Sequence, residues 1–307
     1  MKKFLLFLLK LGLFFLALII VDRALGRVFA YMGEHAKGGY VGHHVYVTDK
    51  TNEDILIFGS SRAIHHYNPQ IITDSLGMTC YNCGQDGNGI VLFYGMWQMI
   101  KERYNPKMII YDVNTGFDLY EGESDTKYLG WLRMDYDRPG VKQIFVDVEP
   151  TEKYKMLSML YRYNSKFMQN ITDYVHPIFE IEGNGFLPLK GEMDQMKIRE
   201  EREEKPVKQV DSIKLEFIGK FIEESKGVEL IFVASPMWYE TNETDYKPIR
   251  DICEQKGISF IDFSDADKYV HQDNWFKDGT HLNARGADEF TVDLINQIKT
   301  KIKNERD

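Results

Sequence analysis

Apolar and polar positions fall into two regimes along this chain. From Phe4 to Val21 the run "FLLFLLKLGLFFLALIIV" is almost continuously apolar, with Lys2 and Lys3 before it and Asp22-Arg23 directly after it. About 18 apolar residues suffice for a tilted membrane helix. A cleaved secretory signal has a shorter apolar core and a small-x-small site behind it. This segment has neither, so residues 1–28 read as an uncleaved signal anchor, with a cleaved signal as second choice. Lys10 lies inside the span and has to snorkel or face a partner helix. Lys2, Lys3 and the terminal amine favour a cytoplasmic N-terminus, while Arg23 and Arg27 vote against it. With the N-terminus inside, the bulk of the chain is expected outside the cytoplasmic membrane, in a periplasm or at the cell surface. Residues 29–51 carry several glycines and mixed polarity and read as a connector.

From residue 52 a different pattern begins. "DILIFG" is a short apolar run stopped by glycine, the mark of a buried parallel strand. "NPQIITDSL" predicts a helix, "MTCYNCG" a strand, "IVLFYGMWQMIKERY" a helix and "KMIIYDVN" a third strand. Towards the other end, "SIKLEFIGKFIEESKG" is an amphipathic helix ending at glycine. After it, "VELIFVASP" predicts a strand, "KPIRDICEQKG" a helix, "ISFIDFSD" a strand and "ARGADEFTVDLINQIKTKIKNE" a closing helix. Strands alternating with helices imply an α/β fold, a five-stranded parallel sheet covered on both faces. Ligands of such sheets sit at the carboxyl ends of the strands. The loops after Phe58, Cys83, Val113, Ser235 and Phe263 are therefore where chemistry is expected. Residues of about 115–210 interrupt the pattern. They hold "YLGWLRMDYDRPG", a helical stretch around "TEKYKMLSMLYRYNSKFM" and the charged run "EMDQMKIREEREEKP", which reads as a solvated helix or linker. So long an insertion needs structure of its own, and a mainly helical cap beside the active face is expected.

Net charge is −9, with 43% hydrophobic and 28% charged residues, and no basic stripe is interleaved with aromatics. Nucleic acid is accordingly not an expected partner. Cys80 and Cys83 have CxxC spacing, but there is no second such pair and no nearby histidine, so no metal site is expected. Both read as small buried hydrophobes. A disulfide to Cys253 stays open for a chain outside the cytoplasm.

Four strand-end segments carry candidate chemistry. In "FGSSRA" a serine directly after a strand opens a helix, whose N-terminal amides can stabilise developing negative charge. The glycines of "YNCGQDGNG" let backbone N–H groups approach a substrate oxygen. "YDVNTG" places an asparagine past the third strand, where its amide can donate to an oxyanion. "FKDGTHLN" sets Asp278 three residues before His281, close enough to hold one ring nitrogen while the other faces a nucleophile.

These blocks together resemble the SGNH (GDSL-type) hydrolase superfamily, over roughly residues 52 to 114 and 226 to 300 of a flavodoxin-like three-layer α/β/α core; the insertion is not covered. The resemblance implies that 52–307 is one SGNH hydrolase-like domain. "GSS" stands where the family has Gly-Asp-Ser, so Ser61 matches the nucleophile and Ser60 the usual acid. Asn82, Gly84 and Gly87 match the "N-x-G-x-x-G" block, with Gly87 as an oxyanion-hole amide. Asn114 matches the third block's asparagine, although "DVNTG" departs from "GxND", and Asp278 and His281 match "DxxH". The implied site is a Ser61–His281–Asp278 triad with an oxyanion hole from the Ser61 amide, the Gly87 amide and the Asn114 side chain, and it uses no metal or organic cofactor. The departures and the anchor resemble the membrane-anchored branch that handles cell-envelope polymers, such as the D-alanine transfer and alginate O-acetylation proteins. The implied activity is a serine esterase or O-acyltransferase on acyl, most plausibly O-acetyl, esters of envelope or capsular glycans. The implied partners are the acylated glycan, the membrane and membrane proteins of polysaccharide biosynthesis. The alternative is an inactive glycan-binding or assembly protein on the same scaffold.

The remaining conspicuous residues are expected to be structural. Arg62 anchors a loop, Asp112 satisfies loop amides, His271 lies in a loop, and Phe93, Tyr94 and Trp97 pack a helix. His65 and His66, on the helix after Ser61, are expected at the surface or facing substrate rather than in the base's position.

Overall fold

The computed structural model describes residues 1–122, 125–179, 184–193, 209–242 and 244–304. Five strands, β1 (Ile55–Gly59), β2 (Cys80–Asn82), β3 (Met108–Asp112), β4 (Glu229–Ala234) and β5 (Ser259–Asp262), pair in parallel in the order β2-β1-β3-β4-β5. This is the flavodoxin-like order, and its switch point lies between β1 and β3. β1 and β3 run in register from Ile55↔Met108 to Gly59↔Asp112, so the residues that follow them emerge side by side.

Alternation along the strands separates two apolar layers. Leu56, Phe58, Ile109, Tyr111 and Phe232 belong to one, with α5 (Ile90–Lys101), α11 (Ser212–Glu224) and α12 (Lys247–Lys256). Ile55, Ile57, Ile110, Ile231 and Val233 belong to the other, with α13 (Ala284–Asn304) and the short α3 (Ser61–His66) and α4 (Pro69–Leu76). The α/β expectation therefore holds, and each strand and core helix read from the pattern is present.

The connector is different. α1 runs unbroken from Lys2 to Glu34, and α2 (Gly39–Asp49) follows after four residues. Val41, His43, His44 and Val47 of α2 are buried, so this segment is part of the core. Its glycines suggested a loop because glycine breaks isolated helices, but tertiary packing decides here. The amino-terminal part of α1 is the one helix among the described residues long and apolar enough to cross a membrane, and that stretch is unburied. From Asp22 onward α1 docks on the insertion. The Asp22 carboxylate accepts from the Ser158 hydroxyl (2.5 Å) and from the N–H groups of Met159 (2.9 Å) and Leu160 (3.0 Å), and Arg23 donates to the Leu157 carbonyl at 2.8 Å. Gly26 lies so close to Met159 that an added Cβ would meet its Cβ at 2.4 Å.

The insertion is helical but broken into short pieces. They are α6 (Leu129–Leu132), α7 (Val141–Val148), α8 (Glu152–Lys155), α9 (Met159–Tyr163) and α10 (Phe167–Val175), the last three occupying the stretch read as one helix. Most of the charged run, residues 194–208, lies outside the described residues. Cys80, Cys83 and Cys253 are buried free thiols, and burial raises the pKa of each.

Candidate active site

β1 ends at Gly59, whose φ of +139° and surroundings exclude a side chain: a Cβ there would meet the Asp112 carbonyl oxygen at 2.6 Å and the Ala63 Cβ at 2.9 Å. The turn therefore brings α3 close over β3, and Ser61 occupies the first helical position, where its N–H has no helical acceptor. The Ser61 hydroxyl lies 2.7 Å from Nε2 of His281. Nδ1 of His281 lies 2.9 and 3.0 Å from the two carboxylate oxygens of Asp278. A carboxylate only accepts, so Nδ1 carries the imidazole proton, and Nε2 is left to accept the Ser61 proton. Burial alone would raise the Asp278 carboxyl. The bond and charge of His281 and the donors of Thr280 outweigh it and hold Asp278 at about 2, ionised throughout the neutral range.

The spacing of Asp278 and His281 fits a turn or the first turn of a helix, and the structure takes the turn. Both lie in a tight loop between Phe276 and Leu282, which pair as an antiparallel bridge. Asp278 Oδ1 closes the loop by accepting from the N–H groups of Thr280 and His281, each at 2.9 Å. Gly279 is required because a Cβ there would strike the Tyr239 ring at 2.1 Å.

His65 and His66 are not surface residues; both are buried, and their rings stand edge-on to His281 at 5.8 and 6.2 Å. The surface reading fails because α3 is only six residues long and the Leu282 loop packs over its end, while His281, and neither of these two, faces Ser61. His66 Nε2 accepts the Leu282 N–H at 3.0 Å, so its proton sits on Nδ1, which donates to the Ser235 hydroxyl at 3.1 Å. Burial, and then the positive charges of His281, Arg62 and His65, push His66 well below the usual histidine range. It is a neutral staple that fixes the loop bearing Asp278 and His281. His65 has acceptors at both nitrogens, the Leu187 carbonyl at 2.6 Å and Asp86 at 3.3 Å. Burial lowers its pKa, but the hydrogen bond and charge of Asp86 outweigh this and raise it.

The Gly87 loop is held beside α3. Asn82 donates to the Ala63 carbonyl at 2.7 Å and the Tyr67 carbonyl at 3.0 Å, and the Gln85 N–H donates to the Gly59 carbonyl at 3.0 Å. α2 supports the loop from behind: Tyr40 donates to Asp86 at 2.5 Å and His43 Nε2 to the Gly84 carbonyl at 3.1 Å. Gly87 adopts φ +66°, and among the described residues neither its N–H nor that of Ser61 donates to a protein acceptor. Asn114 donates its side-chain N–H to the Ser60 hydroxyl at 3.2 Å, and its Oδ1 caps the following turn by accepting from Gly116 and Phe117. Ser60 is fully buried and serves as that acceptor. Sequence reasoning also missed Asp118. Its carboxylate takes the N–H groups of Ile90 and Asn114, each at 2.7 Å, and the Tyr111 hydroxyl at 2.8 Å, so it ties the end of the glycine loop to the Asn114 turn. Burial pushes it up to about 7.

Arg62 is buried and donates to the Val113 carbonyl and to the Tyr246 hydroxyl, with Asp112 3.4 Å from its Nε. Asp112 in turn accepts from Tyr67 at 2.7 Å and from the Ser235 N–H at 3.0 Å. Both are structural, as expected, and lock the ends of β1, β3 and β4. His271 sits in a loop against the Trp238 ring, 4.7 Å between centroids. Phe93 and Trp97 are buried within α5, and Tyr94 reaches Glu224 at 2.7 Å.

The arrangement supplies a hydroxyl, an imidazole acceptor, an ionised orienting carboxylate and nearby unengaged amides, the components of nucleophilic acyl transfer. No family model matches this sequence, and no curated protein matches it. Solved structures with a similar chain path include a lipolytic protein of the G-D-S-L family from Desulfitobacterium hafniense DCB-2 (12% identity, 78% of this chain and 97% of that one, TM-score 0.36). A family two carbohydrate esterase from Clostridium thermocellum in complex with cellohexaose is similar at 10% identity, over 81% of this chain and 64% of that one, with TM-score 0.39. A protein described as a platelet activating factor from Streptococcus pneumonia is similar at 12% identity, over 92% and 98%, with TM-score 0.39. At such identities the chemical assignment rests on the site itself.

Proposed function

We propose that this chain is a serine esterase or O-acyltransferase that acts on acyl esters, O-acetyl foremost, of cell-envelope or capsular glycans. The observation that carries the proposal is the hydrogen-bonded line from the Ser61 hydroxyl through His281 to Asp278. In the reaction, Ser61 Oγ adds to the ester carbonyl while its proton passes to Nε2 of His281. The imidazolium is stabilised by Asp278, and the oxyanion by the N–H groups of Ser61 and Gly87 and the Asn114 amide. Collapse of the tetrahedral adduct breaks the bond to the sugar oxygen, which takes the proton from His281 and leaves an acyl-serine. Water or an acceptor hydroxyl, deprotonated by His281, then adds to the acyl group and releases Ser61. In this reading α1 spans the membrane, and the α/β domain, docked to its carboxyl end, faces the envelope.

The test is Ser61→Ala in the full chain. We expect loss of labelling by a fluorophosphonate and loss of p-nitrophenyl acetate hydrolysis, with the melting temperature retained. Labelling that persists in the variant overturns the assignment. Mass analysis of surface glycan with and without the gene separates the two activities: more acetyl without it means hydrolysis, less means transfer. An unchanged glycan refutes both.

A further inference from the structure

A cavity of about 580 Å³ opens beside the glycine loop, between Asp86, Gly87 and Asn88 on one side and the insertion on the other. Its size is that of an ordinary ligand site, roughly 300–1,000 Å³. Three cationic side chains line it, Lys127, Arg133 and Lys166, against one acid, Asp86. In a protein of net charge −9 this is a local reversal of sign.

The partners of these charges differ. Asp86 is engaged by Tyr40 and His65. Arg133 faces Glu152 at 3.6 Å and the Tyr161 ring. Lys166 meets no carboxylate within ion-pair distance among the described residues; its ammonium rests on the indole face of Trp131, 3.9 Å from the ring centre. Burial without a compensating acid lowers its pKa to about 8. A half-buried ammonium with no acid beside it is costly to keep, and a ligand anion would relieve that cost.

We infer that this cavity is a subsite for an anionic sugar residue, with Lys166 pairing its carboxylate or phosphodiester. The inference deepens the proposed function, since a glycan held there lies against Gly87, and it names the substrate class: acylated glycans that carry negative charge.

The test is calorimetric binding to the full chain in detergent, with three probes: hexagalacturonate, a glycerol phosphate oligomer of similar length, and neutral cellohexaose. At least one anionic probe is expected to bind ten-fold or more tightly than cellohexaose, and which one does so separates carboxylate from phosphodiester. Lys166→Met should remove that preference and Lys166→Arg should keep it. Equal binding of all three probes, or a preference that survives Lys166→Met, overturns the subsite. Binding is read without turnover, so the result is independent of whether p-nitrophenyl acetate is hydrolysed, which tests the esterase reading separately.

Discussion

His66 lets the site geometry be tested through stability. Its imidazole is neutral because Nε2 accepts from Leu282, and a proton there would oppose that N–H. In the unfolded chain His66 titrates near 6.5, while in the folded chain its pKa lies well below that value. Between the two values the unfolded state holds one more proton, so stability is full above 6.5 and falls with pH by about 1.4 kcal/mol per unit. The fall continues until the pH reaches the folded value. His43, lowered to about 4 by burial, adds a slope of the same sign, and Asp118, raised to about 7, adds one of opposite sign. Both persist in a His66→Gln variant and cancel in the comparison. His65, raised, is protonated in both states below 6.5 and adds no slope there. Glutamine offers one acceptor to Leu282 and one donor to Ser235, so His66→Gln should match wild type at pH 7. Below pH 6.5 it should then become the more stable of the two, relative to that match, with a gap that grows by at most about 1.4 kcal/mol per pH unit. Denaturant melts of the full chain in detergent at pH 7, 6 and 5 measure this. Parallel pH slopes in the two proteins refute a buried neutral His66. His66→Phe instead strands the Leu282 N–H, a loss of about 1–3 kcal/mol. It also releases the His281 loop, where a displacement of about 1 Å costs roughly 100-fold in kcat/KM.

Two further outcomes follow from local geometry. Asn114→Asp keeps an acceptor for the N–H groups of Gly116 and Phe117 but removes the amide donor. It should fold normally and lower kcat by about 10²–10³, whereas Asn114→Ala should also lower the melting temperature through loss of the cap; undiminished turnover by Asn114→Asp removes this residue from the oxyanion site. Gly26→Leu has no room against Met159. It should undock α1 from α9, seen as faster proteolysis around residue 157, and an unchanged digestion pattern would refute the docking.

The sheet and its covering helices were legible because each strand is a short apolar run ended by a turn signal, and each core helix an amphipathic repeat. Ser61 was legible at a strand end and Asp278 with His281 by their spacing, and the fold brings all three within hydrogen-bonding distance. What supports them was not legible. α2 looked like a linker because its glycines lower helix propensity, yet Tyr40 and His43 reach the glycine loop only once the tertiary fold exists. Asp118 lies within a segment whose pattern stops at Asn114, and nothing in its neighbours signals that two distant N–H groups converge on it. The adjacent histidines misled for a similar reason. Their exposure depends on the Leu282 loop, more than two hundred positions away.

Those histidines show how one residue type acquires three roles within a few ångströms. The rings of His65 and His66 lie 5.8 and 6.2 Å from that of His281, and imidazolium ions on either would repel one forming on His281 strongly at that distance. The partners differentiate them. His66 faces an N–H and a hydroxyl and stays neutral. His65 faces a carbonyl and a carboxylate, so its charge is offset by Asp86. His281 alone has a carboxylate on one nitrogen and a hydroxyl on the other, the combination that lets it gain a proton from Ser61 and lose it again. A neutral His66 and a compensated His65 leave the developing charge on His281 without an unscreened like charge beside it. The buried pair thus acts on the base twice, by holding its loop and by keeping its surroundings electrically quiet, and neither effect requires contact with the substrate.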